Sequence, residues 1–282
     1  MSDPKTRFSL PSLEKGISTG FAVAVFVFLL APLVIIVPLS FNAEPYFTFT
    51  SKMLTLDPDG FSLRWYYDIV GNPQWLEAIG NSLLIALAST ALATVLGTLA
   101  AIGLARSNMP FRDFFMAILI SPLVVPIVIS AAGMYFYYSS VGLAQTHLGI
   151  ILAHTTLGVP FVVITMTATL SGFDRNLIKA ASSLGADPVT AFFRVTLPLV
   201  APGMISGALF AFAASFDEVV TVLFLGGPEQ RTVPRQMWSG IREQLSPTIL
   251  AVAVLLIVFS SLLLLAVEML RRRNAPLSQA QR

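Results

Sequence analysis

The stretch FDRNLIKAASSLGADPVTAFFRVTLP, Phe173 to Pro198, is a polar island between long apolar runs. It reads as two short amphipathic helices joined by a hinge. Asp174 is placed to cap the first helix, because a carboxylate there accepts hydrogen bonds from the unmet amides of the first turn. Leu177, Ile178, Ala181 and Leu184 recur at helical spacing and form one apolar face. Gly185 suits the left-handed residue just past a helix end. Asp187 and Pro188 are an N-cap and first-turn signal that starts a second helix. In that helix Val189, Phe192, Phe193 and Thr196 share a face, and Pro198 opens the next apolar run. Such an apolar-faced helix pair either packs on its own membrane domain or is held by another protein.

The rest of the chain sets that choice in a membrane. Of its 282 residues 55% are hydrophobic and only 11% charged, whereas a soluble domain carries roughly 25% charged residues. Cysteine is absent and His147 and His154 are the only histidines. Disulfides, thiolate metal sites and histidine-based metal clusters are therefore excluded. No nucleophile–base pair and no phosphate loop is present, which argues against a membrane-embedded enzyme.

Six spans are expected. Phe21–Leu39 is long enough to cross a bilayer, too long for a signal-peptide core, and is read as uncleaved. Asn42–Trp75 is a polar, aromatic loop in which Phe61–Val70 forms a short helix at the interface, with Trp65, Tyr66 and Tyr67 at headgroup level. Ile79–Leu104 is rich in small residues, which let helices approach closely in lipid. Phe114–Tyr138 is interrupted by Pro122 and Pro126. Leu148–Leu170 and Leu199–Leu225 flank the polar island. Pro234–Leu245 forms a surface helix, Ser246 and Pro247 cap the last span, and that span runs Ile249–Leu270.

An even number of spans puts both termini on one side. The termini, the loop at Arg106–Arg112 and the polar island carry twelve of the 17 Lys and Arg residues. Positively charged loops stay in the cytoplasm, so the island and the termini are cytoplasmic. The domains are then a cytoplasmic segment 1–18, a six-helix membrane domain 19–270 containing the loop 173–198, and a cytoplasmic tail 271–282.

Two acids interrupt the fifth apolar run. Asp217 and Glu218 are adjacent and expected inside the span, roughly 28 Å from its start at 1.5 Å per residue. An ionisable group is costly at the bilayer centre and marks a functional site by default, but this depth lies toward the outer half, where the cost falls. Either the pair contacts substrate or an outer gate, or it is a structural ion pair or cap. Tyr135 and Tyr138 can draw an ammonium group to their ring faces or belong to an interface belt. His154 is read as a packing residue.

The island resembles the EAA loop of ABC-importer permeases, which has two alanines, a glycine four residues on and a distal Leu-Pro. Ala180, Ala181, Gly185, Leu197 and Pro198 match. Lys179 stands where the family has glutamate. Closer in, SFDEVVTVLFLGGP, TVPRQMWSGIRE and SPTI are similar to the spermidine/putrescine branch. The resemblance implies an all-α, multi-pass permease of the bacterial inner membrane with the type I ABC-importer fold. Asp174, Leu177, Lys179, Ala180, Ala181, Gly185, Leu197 and Pro198 would couple it to an ATPase. It implies a homologous permease, two cytoplasmic ABC ATPase subunits and a periplasmic solute-binding protein as partners, with lipid around it and no nucleic acid. No cofactor is expected on this chain, because ATP belongs to partner subunits. The solute implied is a polyamine or another small amine, with Asp217 or Glu218 balancing an ammonium. Polyamine members often carry an acid just after the Ser-Pro of the third span. Here Ser121-Pro122 precedes Leu123, which leaves room for an amino acid or other small organic solute. The rival from another class is an ion-coupled secondary carrier, which would have internal repeats and coupling-ion acids near the midplane.

Overall fold

The structure is a computed structural model that describes residues 11–105, 109–174, 176–243 and 246–279. Arg106 of the expected turn, Arg175, Leu245 at the end of the expected surface helix and the first ten residues lie outside that set. Helices in chain order are α1 (Pro11–Leu39), α2 (Ser51–Leu54), α3 (Arg64–Gly71), α4 (Pro73–Leu104), α5 (Arg112–Val124), α6 (Ile127–Ser140), α7 (His147–Ser171), α8 (Asn176–Ser183), α9 (Pro188–Ala191), α10 (Leu197–Phe216), α11 (Val220–Leu225), α12 (Val233–Glu243) and α13 (Thr248–Gln279). Five of these are long and apolar enough to cross a membrane, and six spans result if the bent pair α5–α6 counts as one.

The chain divides into two compact units, one formed by residues up to Ile69 with a segment ending at Leu256, the other by Val70 to residue 244 with Ile257 onward. In the first, Asn42 is fully buried and ties a loop together. Its amide donates to the Tyr46 and Thr48 carbonyls and its oxygen accepts from the Glu44 N–H, all at 3.0 Å. The Trp65 indole donates to the Asn42 carbonyl at 2.7 Å. Trp65 is therefore buried, and Tyr66 bonds Ser40 Oγ at 2.7 Å. Only Tyr67 of the aromatic trio is open enough for an interface belt. The cap expected at Ser246 is present, its hydroxyl accepting from the Thr248 N–H at 3.3 Å.

In the second unit α4, α7 and α10 pack along their lengths through small residues. Ala86, Ser89, Ala93, Gly97 and Ala101 of α4 are buried, as the small-residue pattern of this span predicts, while Ala91 faces out. At Gly158 a Cβ would stand 3.1 Å from Ala93 Cβ and 3.2 Å from Ala211 Cβ. Three backbones thus meet at one level, where any larger side chain would push them apart. Ile85, Tyr138, Ile150, Ala153, Val222 and Leu225 form a separate apolar cluster joining α4, α6, α7 and α11.

Two spans are not continuous helices, the third as its prolines predict and the fifth against the sequence expectation. The third is broken, α5 and α6 meeting at 102°. Pro122 is absorbed inside α5, whereas Val125 takes an extended conformation ahead of Pro126. A residue before proline is driven from the α region, which places the break. The fifth apolar run is not one helix to Leu225. It ends at Phe216, and α11 restarts at Val220. Asp217 and Glu218 therefore sit in an interruption, not in a continuous span.

Candidate functional site: the Gly185 loop and the interruption of the fifth span

The Asp174 carboxylate accepts from the Asn176 N–H at 2.9 Å. At the far end of α8 the Ala186 N–H reaches the Ala181 carbonyl and the Gly185 N–H the Ser182 carbonyl, both at 3.0 Å. That pair of bonds is the Schellman termination. Gly185 has φ +87°, and nothing lies within 4 Å of a Cβ built there. The glycine is thus required by backbone conformation and not by space. Asp187 caps α9, its carboxylate accepting from the Thr190 N–H. Thr190, through its side chain and then its backbone, holds the Asp187 carboxyl below the usual aspartate range.

Two features of this loop differ from the sequence reading. The second helix does not stop before Pro198 but runs unbroken from Pro188 to Phe216. It does so through one π turn, Phe192–Thr196, closed by the Leu197 N–H on the Phe192 carbonyl. Pro198 has no N–H, and its ring crowds the carbonyl four residues back; the wider turn absorbs both. The added residue also shifts the face. Thr196 is buried, whereas Val189 and Phe193 are 62% and 60% exposed. With Leu184 at 89%, they leave the knuckle with an apolar, uncovered surface. Leu177, Ala181 and Leu197 are half-buried, and Lys179, Ala180, Gly185 and Pro198 are exposed.

At the other end of the same helix, Asp217 is exposed and Glu218 half-buried. The Glu218 carboxylate accepts from the Thr221 N–H at 2.8 Å and so caps α11. Asp217 has no side-chain hydrogen bond among the described residues. The two acids thus have different roles, as their divergent directions on a helix imply. Tyr138 is buried in the apolar cluster of α6 and α11, which argues against direct solute contact. Tyr135 is exposed and packs edge-on against Phe136. The structure brings neither tyrosine into hydrogen-bond contact with the acids among the described residues.

Sequence reasoning missed a polar chain in the core of this unit. His154 Nδ1 lies 2.8 Å from Ser215 Oγ, which lies 2.9 Å from Ser89 Oγ, which donates to the Ala86 carbonyl. His154 alone was visible as a polar residue in an apolar run. Its partners are 61 and 65 positions away, on α10 and α4, and no local pattern pairs them.

Among the described residues no group of three or more His, Cys, Asp or Glu can hold a metal ion. The family model "Binding-protein-dependent transport system inner membrane component" matches residues 93–276. The spermidine/putrescine permease PotC of Escherichia coli K12 is 29% identical over 90% of this chain and 93% of its own length. The PotC of Haemophilus influenzae is 31% identical over 90% and 96%. The putrescine permease PotI of Escherichia coli K12 is 35% identical over 82% of both chains. Among solved structures, a bacterial ABC transporter that imports the acidic polysaccharide alginate superposes with a TM-score of 0.71, at 14% identity, over 93% of this chain and 98% of that one. The MetNI methionine transporter gives 0.53, at 17% identity, over 78% and 99%. These likenesses show a shared fold. The chain belongs to the family of inner-membrane components of binding-protein-dependent transport systems.

Proposed function

We propose that this chain is a permease subunit of an ATP-driven importer that carries a small amine-containing solute, a polyamine such as putrescine or spermidine, by alternating access. The observation that carries the reading is an exposed, unpaired carboxylate, Asp217, at a helix interruption in a chain alignable almost end to end with polyamine permeases. A carboxylate at such a place is unfavourable in lipid and favourable beside an ammonium. Both termini and the Gly185 knuckle face the cytoplasm. One of two ATPases holds the knuckle through Leu184, Val189 and Phe193, a homologous permease completes the pathway, and a periplasmic binding protein delivers the solute.

The helix from Pro188 to Phe216 supports the coupling. Its 29 residues form one rod of roughly 43 Å at 1.5 Å per residue. It joins the docking knuckle to the Asp217 interruption without a flexible joint. Movement imposed by nucleotide on the ATPases is thereby delivered to the solute path. ATP binding and hydrolysis belong to the partner chains, so this chain does no covalent chemistry.

A second reading keeps the importer and changes the cargo to an amino acid. Leu123, after Ser121-Pro122, favours it, because no second acid follows that pair for a multiply charged amine. Uptake of labelled putrescine, spermidine and a panel of amino acids by the reconstituted importer separates the two. Saturable, ATP-dependent uptake of a di- or polyamine is the expected result, and transport of zwitterions alone would replace the first reading by the second.

A further inference from the structure

The buried chain His154–Ser215–Ser89 links three helices: His154 Nδ1 lies 2.8 Å from Ser215 Oγ, and Ser215 Oγ 2.9 Å from Ser89 Oγ. His154 and Ser89 are each 1% exposed, so these bonds are made out of reach of solvent and tie the end of α10 to α7 and α4.

The bond to Ser215 holds the end of α10. Ser215 is the second residue before Asp217, and successive helical residues turn by about 100°. With Ser215 drawn into the core between α4 and α7, Asp217 is carried about 200° away, onto the exposed side, as observed. The interruption is pinned from its other side as well. Glu218 caps α11, and Val222 and Leu225 of α11 are buried in the apolar cluster beside Ala153, the neighbour of His154. The Glu218 N–H returns to the Ser215 carbonyl at 3.4 Å. Gly158, one turn along α7 from His154, lets α4 and α10 close in at this level.

We infer that His154, acting through Ser215 and Ser89, is a positioning residue that fixes the last turn of α10 and so aims the Asp217 carboxylate at the transported cation. This deepens the reading of Asp217 as the solute's counter-charge and rests on it for its transport consequence. The aiming itself can be read without solute.

The chain has no cysteine, so Asp217→Cys places a unique thiol on it. The full importer carrying Asp217→Cys is treated with a trimethylammonium methanethiosulfonate, and labelling of this chain is followed by mass. Adding Ser215→Ala or His154→Leu is expected to change the labelling rate at least fivefold. Adding His154→Asn, whose side-chain amide can donate to or accept from Ser215, keeps the rate within twofold. In the background with Asp217 intact, Ser215→Ala and His154→Leu raise the KM for putrescine at least tenfold with kcat within threefold. His154→Asn restores the KM. Labelling rates within twofold for both Ser215→Ala and His154→Leu in assembled transporter overturn the inference. So does a loss of kcat alone with KM unchanged. If labelling responds as expected while Asp217→Asn transports putrescine normally, the aiming stands and the reading of Asp217 as counter-charge falls.

Discussion

One helix of this protein ends in two interruptions of opposite kind. At Gly185 the chain turns in the open, held by backbone bonds and carboxylate caps that reach only a few residues along the sequence. At Asp217–Val219 the chain breaks beside a packed core, and the break is held by a histidine and a serine from other helices and by the Glu218 cap. The first turn is built from local rules and leaves its apolar residues uncovered. The second depends on tertiary contacts and leaves a charge uncovered. An exposed apolar knuckle suits a protein partner, and an exposed carboxylate suits a cation. The two are joined by a single rod.

If the knuckle works through its backbone shape, Gly185→Val has the largest effect. A β-branched residue at φ +87° is strongly disfavoured, the left-handed region costing even ordinary residues about 1–2 kcal/mol. Uptake by the reconstituted transporter should fall to near background while ATP hydrolysis continues. If the interruption works through charge, Asp217→Asn should lower putrescine uptake at least tenfold in assembled complex. An ion pair at 4 Å near a protein surface is worth about 4 kcal/mol, so a drop of that size is well within reach. Normal uptake by that variant would remove the functional half of the contrast.

Smaller effects separate the two acids and the two kinds of cap. Glu218→Ala deletes the α11 cap, which typically costs about 1 kcal/mol, and should lower the melting temperature of the complex by a few degrees. Glu218→Gln keeps an acceptor and should restore most of it. At the knuckle, the depressed Asp187 carboxyl contributes its stabilisation above the unfolded-state pKa. That contribution is lost as pH falls through the lower folded pKa. Protection factors for amide exchange at Val189–Ala191, taken relative to the intrinsic rate at each pH, should therefore fall on acidification, and Asp187→Ala should make them independent of pH. The least effect belongs to Lys179→Ala. Lys179 is exposed and without a side-chain partner among the described residues, so coupling measured as solute moved per ATP should stay within twofold.

The contrast also marks what was legible in the sequence. Asp174, Gly185 and Asp187 announce their turns because caps and left-handed glycines act over a few residues. The same holds for the small-residue stripe of α4 and the break before Pro126. The π turn at Phe192–Thr196 was not legible, because Pro198 reads as a helix start unless the wider turn ahead of it is known. The end of α10 at Phe216 was hidden for a related reason. Val219–Leu225 continues the apolar run, and the packing of α11 against Ile85, Tyr138 and Ile150 is a tertiary feature that no local pattern shows. The burial of Trp65 was not legible because nothing nearby in sequence shows that the Asn42 carbonyl waits for its indole N–H. His154 looked like packing because its partners are on other helices. Residues whose partners are near in sequence were read correctly in kind, and those bonded across the bundle were not.

The central claim is that work done on nucleotide by other chains reaches the Asp217 interruption through the Gly185 knuckle. Its most direct test reconstitutes this chain and its partner permease in vesicles, with and without the ATPases, and follows labelled putrescine presented with its binding protein. Accumulation should require the ATPases and ATP and should be indifferent to ion gradients. Accumulation by the two membrane chains alone, driven by a proton or sodium gradient, would contradict the account.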